Sequence, residues 1–405
     1  MAIMRNLCKA LCFALALLLA AQTPSGAGPA VPSAPPGVSS PANAIPGVYN
    51  FDPALLPRAR AAFARVRSGT GRAIIATLGD STWAGIGAGA TSDHNLQGAR
   101  QHTVAWITSN ILNGRGIPST PDAVFSNGAV STTAASWQMY NPAVVVGSGW
   151  VISSQTTAGG YLWQNGTTTG TALSVTTTQP ANTCDVYYAN TNVAQFTLDL
   201  DGGAAVTVNV TSSGASLLKA SITGTDAVHT LNIKRTGASG NVFIGAIDCY
   251  STATYRAAIW NMGIGGSQTS TWINAASSWS PLTALGTYAP DLTIINLGIN
   301  DEGYSVAPAV YAANLQTIIN TAKLSGDVIL IMHHSCSGHE TQEPATYAAL
   351  RQLAANNNVP LVDFRARLGS YTAASGNGQM YDGLHATGLG YADEAAMIAD
   401  LLSRL

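Results

Sequence analysis

The stretch 73-AIIATLGDSTW-83 places an apolar run directly before an Asp-Ser pair. An apolar run of this length is typical of a β-strand that is buried on both faces, as in a parallel sheet. A serine that follows a strand commonly caps the next helix. Whether Ser81 has a further role depends on which other polar residues can meet it.

Four later apolar segments alternate with amphipathic segments. Together with residues 73–78, the strand candidates are residues 255–261, 292–297, 328–333 and 359–364. The helix candidates are residues 103–112, 272–288, 308–324, 344–357 and 389–402. Strands that alternate with helices predict an α/β fold, in which a parallel sheet is joined by helical crossovers. We assign residues 48–140 and 253–405 to this domain.

Residues 141–252 follow a different pattern. They alternate polar and apolar side chains, are rich in Thr and Val, and contain turn signals such as Asp201-Gly202-Gly203. This pattern is typical of antiparallel strands. We therefore expect an antiparallel β-sandwich that is inserted between the first and second strands of the parallel sheet.

The first 47 residues are expected to lie outside the folded domains. Arg5 and Lys9 precede an apolar stretch, residues 10–21, that is too short to span a bilayer, so residues 1–22 predict a signal peptide. Residues 23–47 are rich in Pro, Ala, Ser and Gly, which predicts an extended linker. The mature protein is expected to be secreted or periplasmic. No later apolar run reaches the ~18 residues of a membrane span, so we expect no integral membrane segment in it.

The chain carries few charges. Asp, Glu, Lys and Arg make up 9% of the residues, and the formal net charge is −2. Soluble proteins typically contain ~25% charged residues. Nothing is basic enough to predict binding to nucleic acid. A surface of Thr, Ser, Asn and Gly favours a neutral, hydroxyl-rich partner, which points to carbohydrate.

The cysteines are consistent with export. Cys8 and Cys12 fall in the predicted signal peptide. Cys184 and Cys249 bracket one β-rich stretch, and an exported protein can oxidise such a pair. We therefore predict a disulfide between Cys184 and Cys249, with Cys336 as a free thiol.

Clusters of polar and glycine residues follow the predicted strands. They are GDS at 79–81, GIGGSQ at 263–268, GINDEG at 298–303, HHSC at 333–336 and YDGLH at 381–385. Ligands of open parallel sheets bind beyond the carboxyl ends of the strands. These clusters are therefore expected on one rim of the sheet.

Three residues of this rim could form a catalytic triad. A serine hydroxyl is a weak nucleophile, so it needs a base, and the base needs an acid that orients it. Ser81 is the candidate nucleophile, His385 the candidate base and Asp382 the candidate orienting acid. Asp and His three residues apart can share one face of a turn, but that spacing alone is common.

Acyl transfer also needs donors for the tetrahedral oxyanion. The backbone N–H groups of Ser81 and Gly266 and the side-chain amide of Asn300 could supply them. Each residue also has a purely structural interpretation, because Gly266 can ease a tight turn and Asn300 can cap a helix.

The motifs together resemble those of the SGNH (GDSL-type) hydrolase family. They occur in the family's order, each after a strand, at residues 79–81, 261–266, 298–301 and 382–385. The four residues that give the family its name match Ser81, Gly266, Asn300 and His385. The resemblance covers residues 73–139 and 253–405. It implies a flavodoxin-like three-layer α/β/α fold and ester hydrolysis through a serine acyl-enzyme, without a metal or cofactor.

Two features depart from the family pattern. Ser81 is followed by Thr82-Trp83 instead of the common Leu, and it stands 185 positions before Gly266. An ordinary βαβ unit has ~30 or more residues, so the inserted segment accounts for the excess. Related exported esterases that act on acetylated polysaccharides or peptidoglycan often carry a sandwich that resembles a carbohydrate-binding module, and residues 141–252 look like such a module. The insert could equally be a lid that shapes the cleft.

The sequence thus predicts an exported serine esterase that removes O-acetyl or another short acyl group from a glycan or peptidoglycan. Three alternatives remain open: a glycan O-acetyltransferase that uses the same residues, a non-catalytic glycan-binding surface protein, and a lipase or arylesterase of broad specificity.

A metal site is not expected. His333, His334 and His339 cluster after the fourth strand, but adjacent histidines on an extended segment point to opposite faces, unlike the helical zinc motif. His333 and His334 are candidate substrate contacts, and so is Trp83, whose ring could stack on a sugar or an acyl group.

Overall fold

The structure is a computed structural model that describes residues 45–89, 99–125 and 140–405, apart from residues 168, 212, 213 and 238. The predicted signal peptide and most of the predicted linker, with Cys8 and Cys12, lie outside the described residues. Within the described ranges, no helix is long and apolar enough to cross a membrane.

The strands are numbered in chain order. They are β1 Val48–Tyr49, β2 Ala73–Gly79, β3 Ser119–Thr120, β4 Val124–Phe125, β5 Val144–Val146, β6 Trp150–Thr157, β7 Gly160–Asn165, β8 Leu173–Thr176, β9 Ala181–Asn190, β10 Val193–Leu200, β11 Val206–Thr211, β12 Ser216–Ala227, β13 Thr230–Arg235, β14 Val242–Tyr250, β15 Ala257–Gly263, β16 Leu292–Asn296, β17 Asp327–Met332 and β18 Leu361–Asp363.

The α-helices are numbered in the same way. They are α1 Pro57–Arg67, α2 Ser81–Ala84, α3 Val104–Gly114, α4 Thr269–Ile273, α5 Pro281–Tyr288, α6 Ile299–Gly303, α7 Pro308–Ser325, α8 Glu343–Asn357, α9 Phe364–Leu368, α10 Tyr371–Gly376 and α11 Gly388–Leu402. Two short 3-10 helices are Pro53–Leu55 and Ala99–His102.

The central sheet has the strand order β1-β18-β17-β16-β2-β15-β3. β1 pairs antiparallel with β18 at the edge, and the other pairs are parallel. If β2, β15, β16, β17 and β18 are counted as strands one to five, their order is the flavodoxin-like 2-1-3-4-5. Helices α4, α5, α7 and α8 cover one face, and α1, α3 and α11 cover the other. The predicted three-layer α/β/α fold is confirmed.

Both faces of β2 are buried, which explains why its sequence is apolar apart from Thr77, whose hydroxyl donates to Trp260 O. Ile75 packs into the core beneath α1, α3 and α11, whereas Ala76 and Leu78 pack into the core beneath α4, α5, α7 and α8. Because side chains of a strand alternate between faces, a strand between two helical layers needs mostly apolar residues on both faces.

The sheet has its topological switch point at β2, since the chain continues to β15 on one side and then to β16 on the other. The pairing places Gly79 of β2 opposite both Gly263 of β15 and Asn296 of β16. The three loops that follow these strands therefore start at the same level, at the edge where ligands of such sheets bind.

The antiparallel strands form two further sheets. One has the order β11-β10-β13-β8-β5, and the other has the order β12-β9-β14-β7-β6 with β4 paired to β14. Side chains such as Val186, Phe196 and Ile233 fill the core between them. The predicted antiparallel sandwich is confirmed, and β5 to β14 lie within residues 141–252, whereas β4 precedes them. The domain boundaries themselves stay predictions.

The cysteine pair lies inside this sandwich. Cys184 of β9 is directly opposite Cys249 of β14, and the structure joins them by a disulfide. Cys336 is free and buried.

The second face of the β4-containing sheet packs on the α/β domain, so the two parts share one hydrophobic core. The ring centroid of Tyr187 on β9 lies 4.9 Å from that of Tyr288 on α5. Phe125 on β4 lies 5.2 Å from Trp260 on β15. The sandwich therefore packs directly on the α/β domain and is not a separately tethered module.

A buried ion pair joins the same two parts. An Arg72 guanidinium nitrogen, one residue before β2, lies 2.6 Å from Asp248 Oδ2 on β14. The guanidinium also lies 4.0 Å from the centroid of the Tyr250 ring. These contacts fix the insert against the first strand of the parallel sheet.

The predicted helix over residues 272–288 is wrong. The structure has two short helices, α4 and α5, with residues 274–280 between them. Pro281 occupies the first turn of α5, where its missing N–H has no helical partner to lose. In the interior of one long helix, the same proline would remove a hydrogen bond and clash with the preceding turn.

The shared core predicts that a mutation in it lowers the stability of the whole protein. Tyr187→Ala should lower the free energy of unfolding by about 3 kcal/mol, because it removes a buried ring from the contact with Tyr288. Urea unfolding followed by tryptophan fluorescence should show one transition at a lower midpoint.

The control is Tyr161→Ala on β7, whose side chain is 39% exposed. It should change stability by no more than about 0.5 kcal/mol. Two separate transitions, of which Tyr187→Ala moves only one, would contradict a common core.

Candidate active site

The Asp-Ser pair forms the start of helix α2. The Asp80 carboxylate accepts hydrogen bonds from the N–H and the hydroxyl of Thr82, each at 2.9 Å. Asp80 therefore supplies the N-cap of this helix. The hydroxyl of Ser81 has a different partner.

Helix α2 lies directly against the strand ends, because two glycines leave room for it. A Cβ atom on Gly79 would lie 1.7 Å from Trp83 Cδ1, and one on Gly263 would lie 2.3 Å from Ala84 N. Neither position can carry a larger residue unless α2 moves. The local sequence thus fixes the distance between Ser81 and the sheet.

Three side chains hold the exit from α2. They come from β15, from the residue before the insert and from α11, and each donates to a backbone carbonyl. The bonds are Asn261 Nδ2 to Trp83 O at 2.7 Å, Tyr140 Oη to Ala84 O at 2.8 Å, and Tyr391 Oη to Ile86 O at 2.6 Å. The turn that carries Ser81 is therefore held from three directions.

The structure brings Ser81, His385 and Asp382 together in one chain of hydrogen bonds. Ser81 Oγ lies 2.9 Å from His385 Nε2, and His385 Nδ1 lies 2.8 Å from Asp382 Oδ2. The second carboxylate oxygen, Oδ1, accepts the backbone N–H groups of Leu384 and His385, each at 2.7 Å. The Asp382 carboxylate can only accept a hydrogen bond, so Nδ1 of His385 carries the proton that it accepts. In this tautomer Nε2 is free to accept a hydrogen bond from the Ser81 hydroxyl.

The charge of Asp382 is stabilised within this loop. Burial alone would raise its pKa, but the hydrogen bonds from the His385 side chain and from the N–H groups of His385 and Leu384 lower the pKa to about 2. Asp382 is therefore ionised at neutral pH.

Gly266 and Asn300 lie on the loops that follow β15 and β16. Gly266 has a φ of +70°, and no heavy atom lies within 4 Å of the position of an added Cβ. Asn300 Nδ2 donates to Ser267 O at 3.0 Å, and Ser267 Oγ donates to Gly79 O at 3.3 Å. The loops after all three strands are thus linked. The N-cap of α6 is Gly298, so Asn300 lies inside that helix.

The candidate substrate contacts Trp83, His333 and His334 lie in the interior, each 1% exposed. Trp83 belongs to the hydrophobic core beneath α1, α3 and α11. His333 faces the carboxylate of Glu302, and His334 faces that of Glu394. A substrate contact by these side chains stays a prediction, and in this conformation they lie beneath the rim.

Three buried acidic residues were not identified from the sequence. Asp301 accepts the N–H and the hydroxyl of Thr269 at 3.0 and 2.6 Å, which ties α6 to α4. Glu302 and Glu394 face histidines. The available signals were the position of residues 301 and 302 directly after Asn300, and the position of Glu394 on an otherwise apolar face of the last helix.

Comparison with known proteins supports the resemblance to GDSL-type hydrolases. Residues 239–392 match the model of the GDSL-like lipase/acylhydrolase family. Over these residues the chain is similar to GDSL-type (SGNH) hydrolases. This similarity supports a serine hydrolase of carboxylic esters. The matched range contains Gly266, Asn300 and His385, and it begins after Ser81.

The fold of this chain is similar to that of a solved structure. A structure titled "Peptidoglycan O-acetylesterase in action, 5 min" has a TM-score of 0.63 and 19% sequence identity, and the match covers 88% of this chain and 98% of that one. The protein YxiM from Bacillus subtilis has a TM-score of 0.34 and 19% identity over 63% of this chain and 87% of that one. No curated protein matches the sequence.

The close approach of α2 to the sheet can be tested at Gly263. Gly263→Ala should destabilise the hydrolase by about 1–3 kcal/mol, because the new methyl group meets backbone atoms that cannot turn away. Gly286→Ala in α5 is the matched control, since an added Cβ meets nothing within 4 Å there. That change should be neutral or stabilising by up to about 1 kcal/mol. Equal midpoints of urea unfolding for the two variants would contradict the packing argument.

Proposed function

We propose that this hydrolase removes O-acetyl or another short acyl group from a glycan, with Ser81 as nucleophile, His385 as general base and Asp382 as the orienting acid. The observation that carries the proposal is the unbroken chain of hydrogen bonds from Ser81 Oγ through the imidazole to the Asp382 carboxylate. In a serine esterase this arrangement delivers the hydroxyl proton to the base as the oxygen attacks.

The reaction follows two steps. Ser81 Oγ attacks the ester carbonyl carbon while its proton moves to His385 Nε2, and His385 then gives that proton to the departing sugar hydroxyl. A water molecule attacks the carbonyl carbon of the resulting acyl-serine and passes a proton to Nε2. His385 then returns this proton to Ser81 Oγ as the acyl C–O bond breaks, which releases the carboxylic acid and restores the serine. Asp382 stabilises the imidazolium that exists between these transfers.

The oxyanion of each tetrahedral intermediate is held by the N–H groups of Ser81 and Gly266 and by the amide of Asn300. The register of the three strand ends and the open space above Gly266 support this assignment. An amide nitrogen carries two hydrogens. One bond from Asn300 Nδ2 to Ser267 O orients the group, and the second hydrogen is the donor to the oxyanion.

The proposed substrate is an acylated polysaccharide or peptidoglycan, and the proposed location is outside the cytoplasm. The low charge of the chain favours a neutral, hydroxyl-rich partner. The Cys184–Cys249 disulfide and the predicted signal peptide support export.

The insert acts chiefly as a structural support that packs against α2. Of its aromatic side chains among the described residues, Tyr161 is the exposed one, whereas Trp150, Trp163, Tyr187 and Tyr188 are buried. Sugar-stacking platforms need exposed rings. The core shared with the α/β domain, and the presence of Ala84 of α2 in the core of the sandwich, favour a structural role.

Replacement of the nucleophile tests the proposal. Ser81→Ala should abolish hydrolysis of p-nitrophenyl acetate and of acetylated glycans, because no other group can form the acyl intermediate. A fluorophosphonate probe should label the wild type and not the variant, and the circular dichroism spectra should agree. Activity close to that of the wild type in Ser81→Ala would end the assignment.

The substrate is identified by measuring acetate release from a panel of acetylated xylan, peptidoglycan, exopolysaccharides and longer-chain esters. Acetylated products formed from an added acetyl donor would indicate acyl transfer instead of hydrolysis.

Asp382→Asn tests the role of the orienting acid. The amide oxygen can still accept the N–H groups of Leu384 and His385, but the amide N–H₂ would face Nδ1 and impose the wrong tautomer on His385. We expect kcat to fall by about 10⁴-fold. A decrease of less than tenfold, with the fold intact, would show that Asp382 does not orient the base.

A further inference from the structure

His334 makes two short hydrogen bonds in the interior of the hydrolase. Its Nδ1 lies 2.7 Å from Glu394 Oε1 on α11, and its Nε2 lies 2.7 Å from the backbone oxygen of Leu384. The side chains of His334 and Glu394 are 2% and 1% exposed. The triad as described above does not use either residue.

The backbone carbonyl of Leu384 can only accept a hydrogen bond, and the same holds for Glu394 as a carboxylate. A neutral imidazole carries one N–H, so a ring that donates to a carboxylate and to a carbonyl at once carries two protons and a positive charge. Burial opposes that charge, but the Glu394 carboxylate and the nearby Cys336 raise the pKa of His334 well above its usual value. The charged and titratable groups that face His334 are Glu394 from α11 and Cys336 from its own loop.

The peptide group that His334 contacts is part of the triad loop. The carbonyl of the Leu384–His385 peptide accepts from His334, and the N–H of the same peptide donates to Asp382 Oδ1 at 2.7 Å. One continuous path of hydrogen bonds therefore runs from Glu394 through His334, this peptide and Asp382 to the His385 ring and Ser81.

The adjacent histidine supports the neighbouring loop. His333 Nδ1 donates to His334 O at 2.7 Å, and its Nε2 lies 3.3 Å from Glu302 Oε1. His339 Nδ1 lies 3.4 Å from Glu302 Oε2. Glu302 stands two residues after Asn300. The segment after β17 thus contacts the loop of Asn300 on one side and the loop of His385 on the other.

We propose that His334, held by Glu394, is a positioning residue that fixes the Asp382–His385 loop and raises the hydrogen-bonding strength of the peptide between Leu384 and His385. The inference rests on the proposed function of the triad. A cationic donor on the carbonyl polarises the peptide, which makes its N–H a stronger donor to Asp382. Through this peptide, His334 affects how strongly the Asp382 carboxylate stabilises a proton on the His385 ring.

His334→Gln tests the proposal. The amide can still donate to Leu384 O, but it carries no charge. We expect kcat on p-nitrophenyl acetate to fall roughly ten- to a hundredfold with little change in KM, as for a slightly displaced catalytic group. The acidic limb of the pH profile of kcat/KM should move to higher pH, because loss of the cation and of the strong N–H donor both favour a proton on the triad base.

Glu394→Gln is the second variant. A neutral His334 can keep its Nε2–H bond to Leu384 O, so we expect a smaller loss of kcat than in His334→Gln. Both variants are compared as full-length proteins at temperatures below their measured unfolding midpoints. This comparison separates the kinetic effect from the destabilisation that a lone buried partner causes.

The insert offers a matched control. His229 Nδ1 lies 2.5 Å from Asp201 Oδ2, and its Nε2 lies 2.8 Å from Thr225 O, so it also bridges a carboxylate and a carbonyl. His229→Gln should lower the unfolding midpoint and leave kcat and the pH profile unchanged.

The outcomes are distinguishable. An unmoved acidic limb in a folded His334→Gln variant, or the same kinetic change in His229→Gln, would overturn the positioning role. If Ser81→Ala retained activity, the proposed function itself would fail. Inactive Ser81→Ala together with a wild-type-like His334→Gln would reject only the present inference.

Discussion

The candidate site depends on one constraint, which is that three neighbouring parallel strands end at the same level. Gly79, Gly263 and Asn296 lie side by side in the sheet, so the loops that carry Ser81, Gly266 and Asn300 begin next to one another. Glycine at the first two positions lets the backbone of α2 lie against the strand ends. His385 then reaches Ser81 from 304 positions further along the chain. A shift of β2 relative to β15 would move the proposed nucleophile away from its proposed oxyanion donors.

The insert belongs to this architecture in a physical sense. The insert lies between β2 and β15 in the sequence. A mobile insert could therefore disturb the register of these two strands, which sets the geometry of the site. Instead, its second sheet buries Tyr187 against Tyr288, and Arg72 pairs with Asp248 next to the start of β2. Removal of the insert would expose an apolar surface on α5 and β15. The α/β domain is therefore expected to need the sandwich for its own stability.

Much of the fold could be predicted because parallel strands between helical layers have continuous apolar sequences. The same rule located the candidate triad, since polar clusters after such strands converge on one edge. Helix α1 was missed because two of its four buried positions are only Ala and its other face is Arg-rich. The partners of His334 could not be predicted, because Glu394 lies 60 positions away and no local pattern joins them. Contacts of this kind depend on the packing of α11 against the segment after β17.

The buried hydrogen bonds beneath the site are better explained by their effect on the position of the triad loop than by a contribution to the stability of the fold. Two ions lose their hydration when they are buried, and their mutual attraction often only offsets that loss. Apolar residues of similar size could fill the space of His334 and Glu394, but they could not donate to Leu384 O. That carbonyl shares its peptide group with the N–H that holds Asp382. A hydrocarbon core would therefore leave the triad loop with one fewer fixed contact at the point where an error of an ångström matters most to acyl transfer.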